Sequence, residues 1–275
     1  MTAPEPGRLD LGTAPPGVEP LDAARLAEGL RVHTAGLADA AAGLDPATPV
    51  PTCPEWRLRD LVGHIAQAHR WAATLVRTGE VGDVPDATRT EPGPPDAWPD
   101  LLREGAAELV DAIEGTGPGT VVFTYLGPRP AVFWLRRMLH DTSVHHADAA
   151  ITAGVPFAIA PDLAADAISE GLELMSAPGA ESFKPDLAAL RGRGETLGLR
   201  PADGPLPGWV ITRAPEGFRA EHAGPAATAA ADVEITAPVR DLLLMLTRRR
   251  SPEEAGAAIT GDRALLDHWL AHTAF

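Results

Sequence analysis

The stretch Trp134-Leu-Arg-Arg-Met-Leu-His-Asp-Thr-Ser-Val-His-His-Ala-Asp148 decides how the first half of the chain folds. Read as a helix, it places Trp134, Met138, Asp141, His145 and Asp148 on one seam, at the spacing of a bundle core. An inward carboxylate and imidazole one turn apart cost stability unless something pairs with them. A buried hydrogen bond between the two would pair them, and so would a divalent metal bound by Asp141 and His145 at positions i and i+4.

Composition narrows the class of protein. The chain has 275 residues, long for one core, and 23 Lys+Arg against 38 Asp+Glu give a formal net charge of −15. This charge argues against nucleic acid and anionic membranes as partners. One cysteine excludes an internal disulfide framework and favours a cytoplasmic protein. We find no signal peptide or membrane-spanning run, and the scarcity of Lys beside abundant Ala, Arg, Gly and Pro suggests an actinobacterial source.

The first half of the chain has the pattern of a four-helix bundle. Proline-rich residues 1–20 predict a disordered arm, and apolar periodicity then predicts helices over 21–44, 55–78, 100–114 and 131–153. Thr52 and Glu55 have capping-box spacing, so the second helix is expected to start there, with Pro54 in its first turn. A strand-like run over 121–125 is expected to line one end of the bundle. On the second helix His64 points towards the interior, whereas His69 is expected in solvent.

The second half has a different pattern, which begins near residue 158. A helix over 161–175 precedes alternating, strand-like segments at 195–200, 209–213, 217–221 and 232–236. A helix over 238–246, a short strand at 258–260 and a last helix over 263–272, capped by Gly261-Asp262, complete the chain. We therefore predict an α+β two-domain fold, with a bundle over 21–157 and a smaller α+β domain over 158–275.

Several motifs give the chain a family resemblance. They are Val50-Pro-Thr-Cys-Pro-Glu-Trp56, Asp60-Leu-Val-x-His64, His69-Arg-Trp71 and Arg136-Arg-x-x-His140-Asp141-x-x-Val144-His145. Together they resemble the mycothiol-dependent maleylpyruvate isomerase family, which has a DinB-like metal-binding bundle. The tail, from Ala231-Asp-Val onward and including Thr260-Gly-Asp-Arg-Ala-Leu-Leu-Asp, resembles that family's C-terminal domain, which is related to sterol carrier proteins.

The resemblance implies a zinc ion, or another divalent metal, bound by His64, Asp141 and His145. Three protein ligands leave an open position for water or substrate. In the family this position would take the thiolate of mycothiol, which then attacks an electrophilic small molecule. The expected activity is thiol S-transfer or thiol-assisted cis–trans isomerisation, with transfer favoured. Asp141 stands where the family usually has Glu, which puts maleylpyruvate itself in doubt as the substrate.

Other polar residues have both a functional and a structural interpretation. Cys53 is expected at a helix N-terminus, where the dipole would lower its pKa, although a packing role is favoured. His140 is expected to be hydrogen-bonded or exposed rather than a fourth ligand. His146 and Arg249 are candidates for cofactor binding, the latter as a clamp for carboxylates of thiol or substrate across the domain interface. The alternative for the basic cluster Arg248-Arg-Arg250 is that it lies in solvent at the C-terminus of a helix. Asp148 could orient His145 or could simply be the last residue of the seam.

Two other classes of function remain open at this point. One is a thiol-independent metalloenzyme or biosynthetic tailoring enzyme on the same bundle, and a requirement for thiol in the assay would separate it from the first reading. The other is a non-catalytic small-molecule-binding protein, which a metal-free chain would favour. The expected assembly is a monomer or a homodimer.

Overall fold

The computed structural model describes residues 20–82, 85–124 and 126–274. The predicted arm over residues 1–20 therefore lies outside the described residues, apart from Pro20. Helices fill the first half of the described chain and a mixed sheet forms the centre of the second half. The predicted α+β fold, with an N-terminal helical bundle and a C-terminal domain that contains the sheet, is confirmed. No described helix combines the length and the apolar character that crossing a membrane requires.

Four long helices form the bundle: α1 (Ala23–Ala41), α2 (Leu58–Thr78), α3 (Trp98–Thr116) and α4 (Val132–Ala153). Their leucine and alanine faces form two apolar clusters, one towards each end of the bundle. Helix α1 packs along α4, and α2 packs along α3. The seam predicted on α4 is mostly buried: Trp134 is 0 % exposed, His145 and Asp148 are buried, and Asp141 is about one-quarter exposed. The bundle therefore places polar side chains of α4 in its interior.

The segment before α2 is extended rather than helical. Strands β1 (Pro49–Val50) and β2 (Cys53–Arg57) pair in antiparallel fashion, so the predicted capping box of Thr52 and Glu55 is wrong. Helix α2 instead begins at Leu58, where the Asp60 carboxylate accepts a hydrogen bond of 2.8 Å from the Arg57 backbone N–H. Only this half of a capping box forms, five residues further along the chain than predicted, because the Arg57 side chain has no acceptor and the strand pairing takes the residues that the pattern assigned to the first turn.

A short hairpin precedes α4. Strand β3 (Val121–Val122) pairs with β4 (Arg129–Pro130), so only the start of the predicted strand-like run is a strand, and Tyr125 lies outside the described residues. The Trp134 indole N–H donates to the Phe123 carbonyl at 2.8 Å, which fastens the hairpin to the N-terminal end of α4.

The second half is built on a five-stranded sheet with the order β7-β6-β5-β8-β9. Its strands are β5 (Thr196–Pro201), β6 (Gly208–Ala214), β7 (Gly217–Ala223), β8 (Val233–Ala237) and β9 (Ala258–Gly261). Only β5 and β8 pair in parallel; the other neighbours are antiparallel. The helices of this half are α5 (Pro161–Ser176), α6 (Ala180–Phe183), α7 (Pro225–Ala229), α8 (Val239–Leu246) and α9 (Arg263–His272). Asp262 caps α9, as predicted.

Helix α5 joins the two halves. Its Leu163 packs into the bundle core, whereas Ala164, Ala167 and Ile168 pack into the core beneath the sheet. Ion pairs also cross from α4 to α5, the first between Arg136 and Asp166 at 2.9 Å. The domain boundary predicted at residue 157 lies in the connection between α4 and α5 and stays a prediction.

Candidate metal centre

The three predicted metal ligands lie together in the bundle. His64 comes from the first half of α2, and Asp141 and His145 come from successive turns of α4. The His64 Nε2 and Asp141 Oδ2 atoms are 3.2 Å apart, and one ligating atom from each of the three residues lies within 4.8 Å of the others. His145 is buried and the other two side chains are about one-quarter exposed. The geometry is that of three donors converging on one point that solvent can reach.

His145 is held in place through its second ring nitrogen. Its Nδ1 is 2.7 Å from Asp148 Oδ2, and this carboxylate is fully buried. Arg249 donates to both Asp148 oxygens, at 2.8 and 2.7 Å, and the Thr52 hydroxyl donates at 2.5 Å. Burial alone would raise the pKa of Asp148, but the hydrogen bonds from His145 and Arg249 hold that pKa well below its usual range. The ionised carboxylate fixes the ring, so Nε2 is the nitrogen that His145 can offer to a metal.

Asp141 is also ionised and oriented. Burial would raise its pKa, but the hydrogen bond with His64 and the nearby positive charge of Arg137 hold the pKa of Asp141 far below its usual range. Arg137 Nη2 lies 3.4 Å from Oδ1, while Oδ2 faces His64. One oxygen thus faces the arginine and the other faces the histidines, and the residue is in the protonation state that binds metal.

A second group with metal-ligand chemistry shares His145 with the first. It consists of Cys53, His145 and Asp148, whose ligating atoms also lie within 4.8 Å of one another. The Cys53 Sγ is 3.6 Å from Asp148 Oδ2 and 3.8 Å from Arg249 Nη2. Asp148 already accepts four shorter hydrogen bonds, which leaves little capacity for a cation. The group of His64, Asp141 and His145 is therefore the better candidate.

Cys53 differs from its prediction. It lies in strand β2, not at a helix N-terminus, so no helix dipole lowers its pKa. Burial and the negative charge of Asp148 instead raise the pKa of the thiol to about 11. The side chain is half-buried and protonated at neutral pH, in agreement with the packing role that was favoured.

Trp56 is a site residue that the sequence reasoning missed. Its ring stacks on His145, with 5.3 Å between centroids and 30° between planes, and lies 5.0 Å from His64. It reaches both histidines because β2 runs beside them before α2 begins. Assigning this residue to a helix hid the contact. The indole covers one side of the two imidazoles and restricts how they turn.

The remaining histidines lie outside the group. His69 was expected in solvent and this is wrong: it is fully buried, and its Nε2 is 2.8 Å from the Thr142 hydroxyl. His140 pairs with Asp166 at 2.6 Å, as a hydrogen-bonded residue rather than a ligand. His146 turns towards α1, where its Nδ1 lies 3.1 Å from that of His33. Its predicted role in cofactor binding stays a prediction.

Arg249 is a clamp across the two halves, and the carboxylate it holds belongs to the protein. The side chain is 7 % exposed, so the alternative of a solvated helix end is wrong for this residue. Arg249 follows Arg248, whose φ is 67°. Among the described residues other than glycine, Arg248 is the one with a positive φ. This left-handed turn ends α8 and directs the Arg249 side chain towards Asp148. A contact between Arg249 and a bound thiol stays a prediction.

Comparisons with known proteins agree with this architecture. Residues 19–150 match the family model described as the mycothiol maleylpyruvate isomerase N-terminal domain. A crystal structure of a mycothiol-dependent maleylpyruvate isomerase is 18 % identical, with 84 % of this chain and 91 % of that chain covered at a TM-score of 0.54. A histidine-to-alanine mutant structure of such an isomerase is 15 % identical, covers 86 % and 93 % of the two chains, and has a TM-score of 0.51. Curated protein sequences give no match.

Proposed function

We propose that the chain is a metal-dependent, thiol-using enzyme, because its residues 19–150 match the mycothiol maleylpyruvate isomerase N-terminal domain. In this proposal His64, Asp141 and His145 bind zinc or another divalent metal. The co-substrate is a low-molecular-weight thiol, mycothiol, and the second substrate is an electrophilic small molecule. The observation that carries the proposal is the convergence of three ligating atoms within 4.8 Å, from two helices, with both α4 ligands oriented by ionic partners.

The charged side chains around the site favour the binding of a divalent cation together with an anionic ligand. Three carboxylates face two guanidinium groups here, so the cluster has one excess formal negative charge; its members are Asp141, Asp148, Glu170, Arg137 and Arg249. A divalent cation would change this excess to one positive charge, and a thiolate would neutralise it. Paired or coordinated charge is the state that a partly buried site tolerates.

The chain's own residues would hold the reacting groups in place. Asp148 fixes the His145 ring, Trp56 covers one side of the two histidines, and three protein ligands leave a coordination position free. When bound, a divalent metal supplies a Lewis acid that keeps a thiol sulfur deprotonated at neutral pH. Arg249 pairs with Asp148, the carboxylate that holds His145, so its charge is matched and adds little net field at the site.

Thiol transfer is the reaction that we favour. In transfer, the thiolate sulfur forms a bond to an electrophilic carbon, which either expels a leaving group such as chloride or, in an activated double bond, gives up its π bond and has its neighbouring carbon protonated; the product keeps the thiol as a thioether. In cis–trans isomerisation the sulfur adds, the carbon–carbon bond rotates, and the thiol leaves again. A departure from the pattern of the family that the chain resembles favours transfer: Asp141 stands where that family usually has Glu. We further propose a cytoplasmic enzyme, since the chain has one cysteine, that works as a monomer or a homodimer.

The test is a thiol-dependence assay. Purified wild type would be given mycothiol with chlorodinitrobenzene, and separately with maleylpyruvate, and each reaction would be repeated without thiol. We expect the wild type to consume one of the two electrophiles, only when mycothiol is present, and His145→Ala to consume neither. Glu173→Gln, an exposed position on α5, is the matched control and should keep the wild-type rate.

Each rival function predicts a different result. Turnover that is equally fast without thiol would replace this proposal with a thiol-independent metalloenzyme. Tight binding of an electrophile without turnover, in the presence of metal and thiol, would replace it with a binding protein. The product distinguishes the two favoured reactions, because only transfer leaves a thioether.

A further inference from the structure

A buried glutamate on α5 is connected to the candidate metal centre through one arginine. Glu170 is 2 % exposed, and its Oε2 accepts a hydrogen bond of 2.5 Å from Arg137 Nη1. The other end of the same guanidinium, Nη2, lies 3.4 Å from Asp141 Oδ1. Glu170 belongs to α5, the helix that packs under the sheet. Arg137 therefore connects the C-terminal half of the chain to Asp141, a predicted metal ligand.

We propose that Glu170 and Arg137 are positioning residues that set the metal affinity of the site by orienting Asp141. This inference rests on the proposed function. Arg137 takes up Oδ1, which directs Oδ2 to the space between His64 and His145. Partners of metal-ligating carboxylates commonly change metal affinity or activity by about 10–100-fold when they are removed. The arrangement is the counterpart of Arg249 and Asp148, which orient His145, so the C-terminal half fixes both α4 ligands.

Glu170 is better explained by such a role than by stability. Its second oxygen, Oε1, is buried and has no hydrogen-bond partner among the described residues. A buried carboxylate with an unpaired oxygen costs stability. The neighbouring pair on the same two helices is built differently: Arg136 donates to both oxygens of Asp166, which also faces His140. The fully hydrogen-bonded pair of Arg136 and Asp166 thus contributes to the docking of α4 on α5. The burial of Glu170 with one unpaired oxygen needs another explanation.

The charge of Glu170 is what allows an arginine to stand beside a cation site. Without it, Arg137 would lose the nearer of the two carboxylates recorded beside it, at 2.5 Å against 3.4 Å, and would be drawn closer to Asp141. Both effects oppose binding of a divalent metal, since the guanidinium competes for Asp141 and repels the ion. Glu170→Gln keeps the size and shape of the side chain, removes its charge and replaces one carboxylate oxygen with an amide NH2. It should therefore weaken the metal site without opening the helix interface.

The experiment measures zinc affinity by chelator competition in the full-length chain. The variants are Glu170→Gln and Arg137→Lys, the second of which keeps the charge but lacks the fork that bridges two carboxylates. The matched control is Asp166→Asn, which removes a carboxylate from the same helix and from the adjacent arginine of α4. We expect a Kd for zinc about tenfold weaker in Glu170→Gln, weaker also in Arg137→Lys, and within about twofold of wild type in the control.

The outcomes separate this inference from the function on which it rests. Wild-type affinity in either test variant would overturn it, and so would an equal loss in Asp166→Asn, which would point to general loosening of α5. If Glu170→Gln does not fold, Arg137→Lys alone decides. Failure of wild type to bind zinc would instead refute the proposed metal centre.

Discussion

Replacing Arg249 with methionine is the perturbation whose cost can be worked out most directly from the structure. The side chain makes two charge-assisted hydrogen bonds to Asp148, and the two groups are 7 % and 0 % exposed. Methionine keeps the apolar stem and removes both bonds. Because the carboxylate retains His145, Thr52 and the weak donor Cys53 but loses its one cationic arginine partner, we expect the free energy of unfolding to fall by about 3–5 kcal/mol.

Urea denaturation followed by circular dichroism would measure this loss, and the thermal midpoint should fall on the order of 10 °C. Arg250→Met is the control, since Arg250 is 41 % exposed and its partner Asp241 keeps Arg240. Exposed ion pairs contribute about 0–1 kcal/mol, so the control should remain near wild type. A loss below about 1 kcal/mol in Arg249→Met, or one no larger than in Arg250→Met, would show that the buried pair of Arg249 and Asp148 contributes little to stability.

Three further predictions test the packing and the titration of buried groups. Gly36→Ala would place a Cβ within 3 Å of ring atoms of His146, so it should lower the free energy of unfolding in urea by about 1–3 kcal/mol. Gly171→Ala is the control: its Cβ would meet no atom within 4 Å, so it should raise the free energy of unfolding by up to about 1 kcal/mol. Equal effects of the two substitutions would contradict the predicted clash at Gly36. Burial and neighbouring positive charge lower the pKa of His33 to about 3, so the unfolded chain binds a proton first as pH falls through about 6.5, and stability should drop by about 2–3 kcal/mol between pH 6.5 and 4.5. His33→Gln should remove that part of the drop, and an unchanged pH profile of the denaturation midpoint would count against it. Because burial raises the pKa of Cys53 to about 11, iodoacetamide at pH 7 should alkylate the native chain more than about 100-fold more slowly than the urea-unfolded chain, and similar rates by mass spectrometry would show that the thiol is not protected.

The parts of the site that the sequence predicts lie on rigid, regular elements. A helix places residues four apart on one face, so the pairing of Asp141 with His145 could be foreseen from spacing alone. The long helices have strong apolar periodicity, and their observed limits lie within a few residues of those predicted. His64 came from its inward position and from the family resemblance, and the structure brings it within 3.2 Å of Asp141.

The missed parts depend on contacts that no local pattern contains. Thr52 and Glu55 have the spacing of a helix cap, yet pairing with Pro49–Val50 makes the segment a strand. Because the segment was assigned to a helix, the contact of Trp56 with His64 and His145 was not predicted. The ionic partners of the site are also distant in sequence: Arg249 lies 101 residues from Asp148, and Glu170 lies 33 residues from Arg137. Such pairs are set by the docking of α5 and α8 on the bundle, which the sequence alone does not specify.

The metal content of the purified chain shows whether His64, Asp141 and His145 form a metal centre. Wild type, His64→Ala and Asp141→Ala would be analysed by inductively coupled plasma mass spectrometry, with circular dichroism to show that each variant folds. We expect about one divalent metal ion per wild-type chain, and its loss in both folded variants, because three ligands converge on one position. A wild-type chain that holds no metal after incubation with zinc, or a folded Asp141→Ala that keeps a full equivalent, would contradict this expectation.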